Sequence, residues 1–352
     1  MHTLAMLGFG GMAGIHYKVL TKDYDKVKVK GVYDIDEKRM EDAKSKGLVT
    51  YKSCEDLLCD KEVDIVLVAA TNDAHTDLCI KALEAGKNVL CEKPATMTSE
   101  ELLKVMEVSK KCGKVFSIDQ NRRVNKDFVL MRRCIESGKI GKPYVIESRV
   151  EGSRGLPSGW REQKKKGGGM MLDWGVHLID QIMYMTDEKV VNVFCKMQKL
   201  NYPEVEDNFR MIMTFESGLI AQIEVATNNF ISHPRWYVLG TEGTLQINDW
   251  SCEGKIVRCI DKENSWGTDI VCTKAGPSKT MAPRSEDTVE TIPLCAPDDV
   301  VDNLVPTYEQ MLDAIDNGAE LKIKPEQALR VMKVMEAAFL SAEKSEAIKT
   351  DI

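Results

Sequence analysis

Thr3-Leu4-Ala5-Met6-Leu7, then Gly8-Phe9-Gly10-Gly11-Met12-Ala13-Gly14, then a helix-like run to Leu20: this opening stretch decides the fold. A short apolar segment that breaks into close-spaced glycines and restarts as a helix reads as strand, tight turn, helix. Gly8, Gly10 and Ala13 fit the spacing G-x-G-x-x-G/A, in which the first position permits the turn, the second admits a pyrophosphate and the third lets helix and strand pack closely. Phe9, Gly11 and Met12 complete the turn, and backbone N–H groups at the helix start face the anion. The turn by itself is weak, and its surroundings carry the reading.

Working outward, Val27 to Tyr33 reads as a second strand ending at Asp34, 26 residues beyond Gly8, where an acidic residue about 20 positions on is expected to meet the adenine ribose. A carboxylate there accepts both ribose hydroxyls and repels a 2′-phosphate. Ile35 rather than arginine follows it, so NAD is expected over NADP. Asp36 reads as the cap of the helix carrying Arg39 and Met40. The alternation continues with strands at 63–70, 88–91 and 115–119 and helices at 73–85 and 99–112, the helices ended by Gly86 and Gly113. Strand alternating with helix implies a doubly wound parallel sheet, whose ligands bind outside the carboxyl ends of its strands. Those ends carry Ala70-Thr71-Asn72, Glu92-Lys93-Pro94 and Gln120-Asn121-Arg122.

Lys93 is therefore expected where a nicotinamide would lie, and an ammonium there can hydrogen-bond a reacting hydroxyl and stabilise its alkoxide. Glu92 reads as the structural partner of a nearby cation. Farther on, Gly167-Gly168-Gly169 leads into Met170 to Asp180, read as the first turns of a helix. Asp173 and His177, four apart, share a face there, with Asp180 three beyond. An imidazole can take a proton from an alcohol at neutral pH, and a carboxylate beside it can orient it. His177 is the candidate base and Asp180 a structural ligand to a basic residue.

At 352 residues the chain predicts about two domains. Its 43% hydrophobic and 29% charged residues exclude extensive disorder, and a net charge of -7 gives no electrostatic reason to bind nucleic acid. Eleven cysteines without a CxxC pair, several of them (Cys54, Cys79, Cys91, Cys134, Cys195) in apolar or helix-like segments, predict buried thiols and no metal site. No signal-peptide pattern and no apolar run of about 20 residues occurs, so a cytoplasmic chain with no membrane contact is expected.

Together the glycine turn, Asn72-Asp73-Ala74-His75, the segment Ala85 to Pro94 and the block from Gly167 to Asp180 resemble the Gfo/Idh/MocA oxidoreductases, over nearly the whole chain. The resemblance implies a Rossmann α/β domain at 1–121 and an α+β domain with a large, mainly antiparallel open sheet at 122–352. It also implies that Lys93, Asp173 and His177 form the catalytic set of the family's sugar and cyclitol dehydrogenases, that Asn72, His75, Glu92, Trp160 and Arg161 lie along the cofactor, and that Asn121, Arg122 and Arg123 reach the cofactor or substrate cleft. Pairing into homo-oligomers through the outer face of the second sheet is a further implication. Thr71 departs from the family pattern, where proline commonly precedes the asparagine. Two other functions remain open at this point: redox-assisted glycoside processing through a transient 3-keto sugar, and a catalytically silent NAD-sensing regulator.

The back half reads as antiparallel. Phe209, Met211, Met213 and Phe215, a turn at Glu216-Ser217-Gly218, and Leu219, Ala221, Ile223 and Val225 make a hairpin, and 236–240 with 244–247 suggest another. His233 and Trp236 are candidate sugar-cleft residues. Residues 261–290 read as a long loop. Lys164-Lys165-Lys166 reads as a solvated loop or a basic lid, and Ala328, Val331, Met332, Met335, Phe339 and Ala342 as the core face of a terminal helix.

Overall fold

The computed structural model describes residues 1–261, 270–274, 276–278 and 284–352. Strands β1 (His2–Leu7), β2 (Val27–Tyr33), β3 (Val49–Thr50), β4 (Ile65–Val68), β5 (Asn88–Cys91) and β6 (Phe116–Ile118) form a parallel sheet in the order β3-β2-β1-β4-β5-β6. Helices α1 (Gly11–Lys22), α2 (Glu37–Ser45), α3 (Cys54–Cys59), α4 (His75–Glu84) and α5 (Ser99–Cys112) connect them. Side chains alternate between the two faces. Leu4, Met6, Ile65, Leu67 and Leu90 join one core with Ala13 and Leu20 of α1, while Ala5, Leu7, Val66, Val68, Val89 and Cys91 join another with Leu57, Leu83 and Leu102. Because both faces are covered, the central strands are apolar throughout instead of alternating with polar residues. The chain winds from β1 out to β3 and returns to β4, so the crevice opens beyond the carboxyl ends of β1 and β4. The helix expected over 73–85 splits into a 3₁₀ turn, Asn72–Ala74, followed by α4.

Beyond α6 (Lys126–Glu136) a second sheet begins. Its strands are β7 (Pro143–Glu151), β8 (Val190–Gln198), β9 (Asn208–Phe215), β10 (Ile220–Ala226), β11 (Trp236–Gly240), β12 (Gly243–Ile247) and β13 (Gly254–Cys259). A separate pair, β14 (Val271–Thr273) with β15 (Gly276–Ser278), follows, and β16 (Val289–Leu294) and β17 (Ile348–Lys349) complete the large sheet. Its order is β16-β13-β12-β11-β7-β10-β9-β8-β17, with β7 and β10 parallel and the other neighbours antiparallel. Both expected hairpins form. Part of the loop expected over 261–290 lies outside the described residues, and its end, from Val289, is an edge strand.

Phe209, Met211, Met213, Phe215, Ala221, Ile223 and Val225 are buried under the covered face. The cover is α7 (Val176–Tyr184) and, along β8, the long terminal helix α9 (Pro325–Lys344), whose Ala328, Val331, Met332, Met335 and Ala338 are buried. Phe339 is 36% exposed, at the rim of that face and not in its core. Because α9 also contacts α5 and β6, it lies between the two sheets. One helix has no counterpart in the sequence reading: α8 (Val305–Asn317) returns from the second half to the first and places Leu304, Tyr308, Met311 and Leu312 in the core beside α1. All eleven cysteines are free, and Cys54, Cys79, Cys91, Cys134 and Cys195 are buried. No helix among the described residues is long and apolar enough to cross a membrane.

Candidate active site

At the end of β1, Gly8 has φ +93°, and a Cβ there would lie 2.5 Å from the Ala69 carbonyl oxygen, so both backbone conformation and space demand glycine. Gly10 caps α1 without a side chain, and Gly11 opens onto free space. Phe9 and Ala13 are buried, so they serve the turn through backbone and packing, and Met12 is half-buried beside them. Asp34, nearly buried at the end of β2, accepts from the backbone N–H groups of Phe9 (2.7 Å) and Asp36 (2.9 Å), tying the glycine turn to the second strand. Ile35 is 88% exposed. The missing arginine at position 35 does not leave the carboxylate alone: α2 brings Arg39 back to it, Nη1 donating to Asp34 Oδ2 at 3.2 Å. Asp36 caps α2 as expected. This cradle of glycine backbone, helix N-terminus and strand-end carboxylate fits the pyrophosphate and adenine ribose of a dinucleotide.

The other strand ends form its far side. Thr71 donates to Asp73 (2.6 Å), and Asn72 Nδ2 donates to the Gly167 carbonyl (2.8 Å), joining the end of β4, past Ala70, to the triple-glycine loop. Gly167 and Gly169 have φ +75° and +100°, and a Cβ on Gly169 would lie 2.5 Å from the Glu206 carboxylate. His75 braces the strand ends, its buried ring lying 2.9 Å from the Pro94 carbonyl and 3.3 Å from that of Ala70. In the basic loop, Lys166 is latched to Asp73 at 3.0 Å.

Lys93 Nζ donates to the Asp173 carbonyl (2.7 Å) and to its Oδ1 (3.1 Å). Arg161, which lies over the ring of Trp160, donates to the other carboxylate oxygen at 3.1 Å. Burial would raise the Asp173 carboxyl, but the Lys93 and Arg161 charges overcome it and hold the group below its usual range. Residues Met171–Gly175 adopt a π-helical turn before α7, so the simple four-residue spacing fails: the Asp173 carboxylate goes to Lys93 and Arg161 and does not orient His177. The His177 ring is 4% exposed, its Nδ1 is buried without a partner, and Trp174 packs on it with ring centroids 5.9 Å apart. Burial, then the charges of Lys93, Arg122 and Arg235, keep its pKa well below the usual value, so the ring is neutral.

Several expected contacts fall elsewhere. Arg123 is committed to Asp180 through Nε (2.7 Å) and Nη2 (2.6 Å) and to Gln327, which gives Asp180 its structural partner and removes Arg123 from the substrate cleft. Trp236 is fully buried, its Nε1 donating to Asp127 at 2.8 Å, so it cannot line a cleft. His233 pairs with Glu151 at 2.9 Å on the exposed side of the sheet. Asn121 donates to Asp119 (3.1 Å), a bond within its own strand-end turn.

Other residues were not foreseen. Glu92 finds its cation in His16 of α1, whose Nε2 lies 3.0 Å from Glu92 and 3.5 Å from Asp119 while Nδ1 meets the Tyr308 hydroxyl at 2.6 Å. These three ligating groups could also hold a metal ion, but the imidazole already occupies the space between the carboxylates. Burial alone would lower the His16 pKa. The hydrogen bonds and charges of Asp119 and Glu92 outweigh it and push the ring up to about 9, so an imidazolium is the cation of this cluster. Around His177, Arg122, which was expected in the cleft, is joined by Arg235 and by Trp250, which was not foreseen. Trp250 sits in the loop after β12, where no local pattern marks it.

Fold and site thus define a two-domain oxidoreductase that binds NAD. Residues 3–120 match the model of the oxidoreductase family with an NAD-binding Rossmann fold, and 128–246 match that of the GFO/IDH/MocA C-terminal domain. The chain belongs to the Gfo/Idh/MocA family. An uncharacterized oxidoreductase of Schizosaccharomyces pombe is 30% identical over 86% of both chains. An inositol 2-dehydrogenase of Salmonella typhimurium is 30% identical over 63% of this chain and 66% of its own. A crystal structure of an NAD-binding protein from Listeria innocua is 42% identical, covers 99% of both chains and superposes with a TM-score of 0.93.

Proposed function

We propose that the protein oxidises a secondary hydroxyl of a sugar, cyclitol or glycoside, with His177 taking the hydroxyl proton and Lys93 stabilising the alkoxide. The observation that carries this reading is the pairing of a fixed ammonium with a buried, neutral imidazole. Two Lys93 protons are directed at Asp173, which leaves the third N–H to donate to a substrate oxygen. An ammonium so held favours the alkoxide as the proton leaves and needs no rearrangement when charge develops. Nδ1 of His177 has no partner to compete for the ring, and the neutral ring is the form that accepts a proton. Bound NAD supplies the hydride acceptor, for which Gly8, Gly10, the N-terminus of α1 and Asp34 form the cradle.

The inositol dehydrogenase relative, with the spacing of Lys93, Asp173 and His177, supports a polyol over other alcohols. Purified protein mixed with NAD and a panel of inositols and sugars should accumulate NADH. Glycoside cleavage without NADH would favour the transient 3-keto route instead, and tight NAD binding with no turnover on any polyol would favour a regulator. Homo-oligomers pairing through the outer face of the large sheet belong to the same reading, and light scattering should give a particle of two or four times 39.5 kDa.

A further inference from the structure

We infer that the substrate carries a carboxylate, held by Arg122 on the second-domain side of the cleft beneath Trp250. The inference rests on the dehydrogenase reading for its catalytic centre and extends it to the class of substrate.

Three cations, Lys93, Arg122 and Arg235, stand near His177, a fourth, Arg161, joins Lys93 on Asp173, and two carboxylates pair with three of the four. Lys93 and Arg161 share Asp173, and Arg235 has Asp127, whose oxygen also accepts from Trp236. Arg122 has no carboxylate within ion-pair distance among the described residues. Its guanidinium lies 4.2 Å from the ring centre of Trp174, the same indole that packs on His177, and 5.5 Å from that of Trp250. Nη1 donates to Asn125 Oδ1 at 3.0 Å, while Nε is buried without a partner. Nη2, which makes no hydrogen bond among the described residues and is not buried as Nε is, is the guanidinium's free donor, where a carboxylate oxygen would meet an unanswered positive charge.

The neighbouring arginine shows what a purely structural role looks like here. Arg123, one residue on, is bidentate to Asp180 and buried with it. Arg122 instead is stacked, half-buried and paired with no carboxylate among the described residues. A second guanidinium, Arg235, 3% exposed, lies 4.8 Å from the ring centre of Trp250, and its Nε too lacks a well-aligned hydrogen bond, although Asp127 stands 3.2 Å away. Two guanidinium groups on one indole repel each other, and an anion between them and the base relieves that repulsion. The cofactor phosphates do not supply it, because their cradle is the Gly8 turn at the head of α1, in the other domain. Trp250, 48% exposed, is placed to cover the bound group.

The test is a calorimetric titration of the full chain loaded with NADH, using D-glucuronate, D-galacturonate and D-gluconate against D-glucose, D-galactose and D-glucitol, with D-glucose 6-phosphate as a second kind of anion. At least one acid should bind tenfold or more tightly than its neutral partner. Arg122→Gln should weaken that acid at least tenfold more than the neutral sugar, with Arg122→Lys intermediate. Arg133→Gln, which removes an exposed ion pair with Asp299, should leave the acid preference intact, and unaltered NADH affinity in each variant shows that it is folded. The inference is overturned if no acid binds better than its neutral partner, if Arg122→Gln weakens both equally, or if the phosphosugar binds better than every carboxylate. Because the titration reads binding, an acid preference that depends on Arg122 stands even where no sugar is turned over, and that second result would count against the dehydrogenase reading alone.

Discussion

His177 and His16 show how one residue type is set to opposite protonation states within one molecule. His177 is buried among cations and stays neutral. His16 is buried among anions and stays charged. The consequence for catalysis is a sign that can be checked. With the pKa of His177 depressed, the base form persists as pH falls below 6.5, so the acid limb of the kcat/KM profile should lie below 6.5. A limb above 7 in the free enzyme would show that another group is the base. Asp173 was legible as a partner in the site but not in its role: the sequence spacing put it beside His177, whereas the π-turn redirects its carboxylate to Lys93 and Arg161. Asp173→Ala, which frees Lys93, should therefore lower kcat by roughly 10- to 1000-fold while leaving the His177 limb in place, measured as a pH series of NADH formation.

At the scale of elements, the front half was readable because its strands are short apolar runs bounded by glycine and capping residues. The bounds of β2, β5 and α5 coincide with the expected ones, and α5 carries a capping box of Thr98 and Glu101. Two turns bear the site. Ala at position 8 would meet the Ala69 carbonyl at 2.5 Å with φ +93°, so Gly8→Ala should weaken NAD at least tenfold and cost about 1–3 kcal/mol of stability from backbone strain alone. Gly169→Ala, at φ +100° and against Glu206, should cost a similar free energy of stability, read as a lower melting temperature. Differential scanning fluorimetry with and without NAD separates the two, since only the first variant should also lose the stabilisation by cofactor. Trp236, Arg123 and His233 fell elsewhere because residue type and resemblance do not tell which partner a side chain meets: Asp127 of α6, Asp180 of α7 and Glu151 of β7 take them, all distant in sequence.

The whole molecule is held together by contacts that no local pattern announces. Helix α8 leaves the second half to place Tyr308 against His16, and with Glu92 and Asp119 this closes a buried cluster one residue from Lys93, whose backbone N–H donates to Glu92 at 3.2 Å. Since the folded His16 pKa of about 9 exceeds its unfolded value of 6.5, its contribution is full below 6.5 and is lost as pH rises through 9. Urea unfolding should show stability falling between those values by up to about 3 kcal/mol. The decline should be largely absent in His16→Gln, and equal slopes in both proteins would contradict the assignment. The change from a parallel sheet to a mainly antiparallel one was legible from the change of period near residue 122. The return of α8 and the placement of α9 between the sheets were not, because long-range burial decides them.

The most direct measurement of the central claim is NADH formation by the purified protein on a panel of inositols, sugars and sugar acids, with Lys93→Ala and His177→Ala run beside it and NAD affinity measured for each. The account predicts turnover of at least one polyol by the native chain, a loss of at least 100-fold in kcat in each variant, and NAD binding retained. Turnover unchanged in both variants would contradict it.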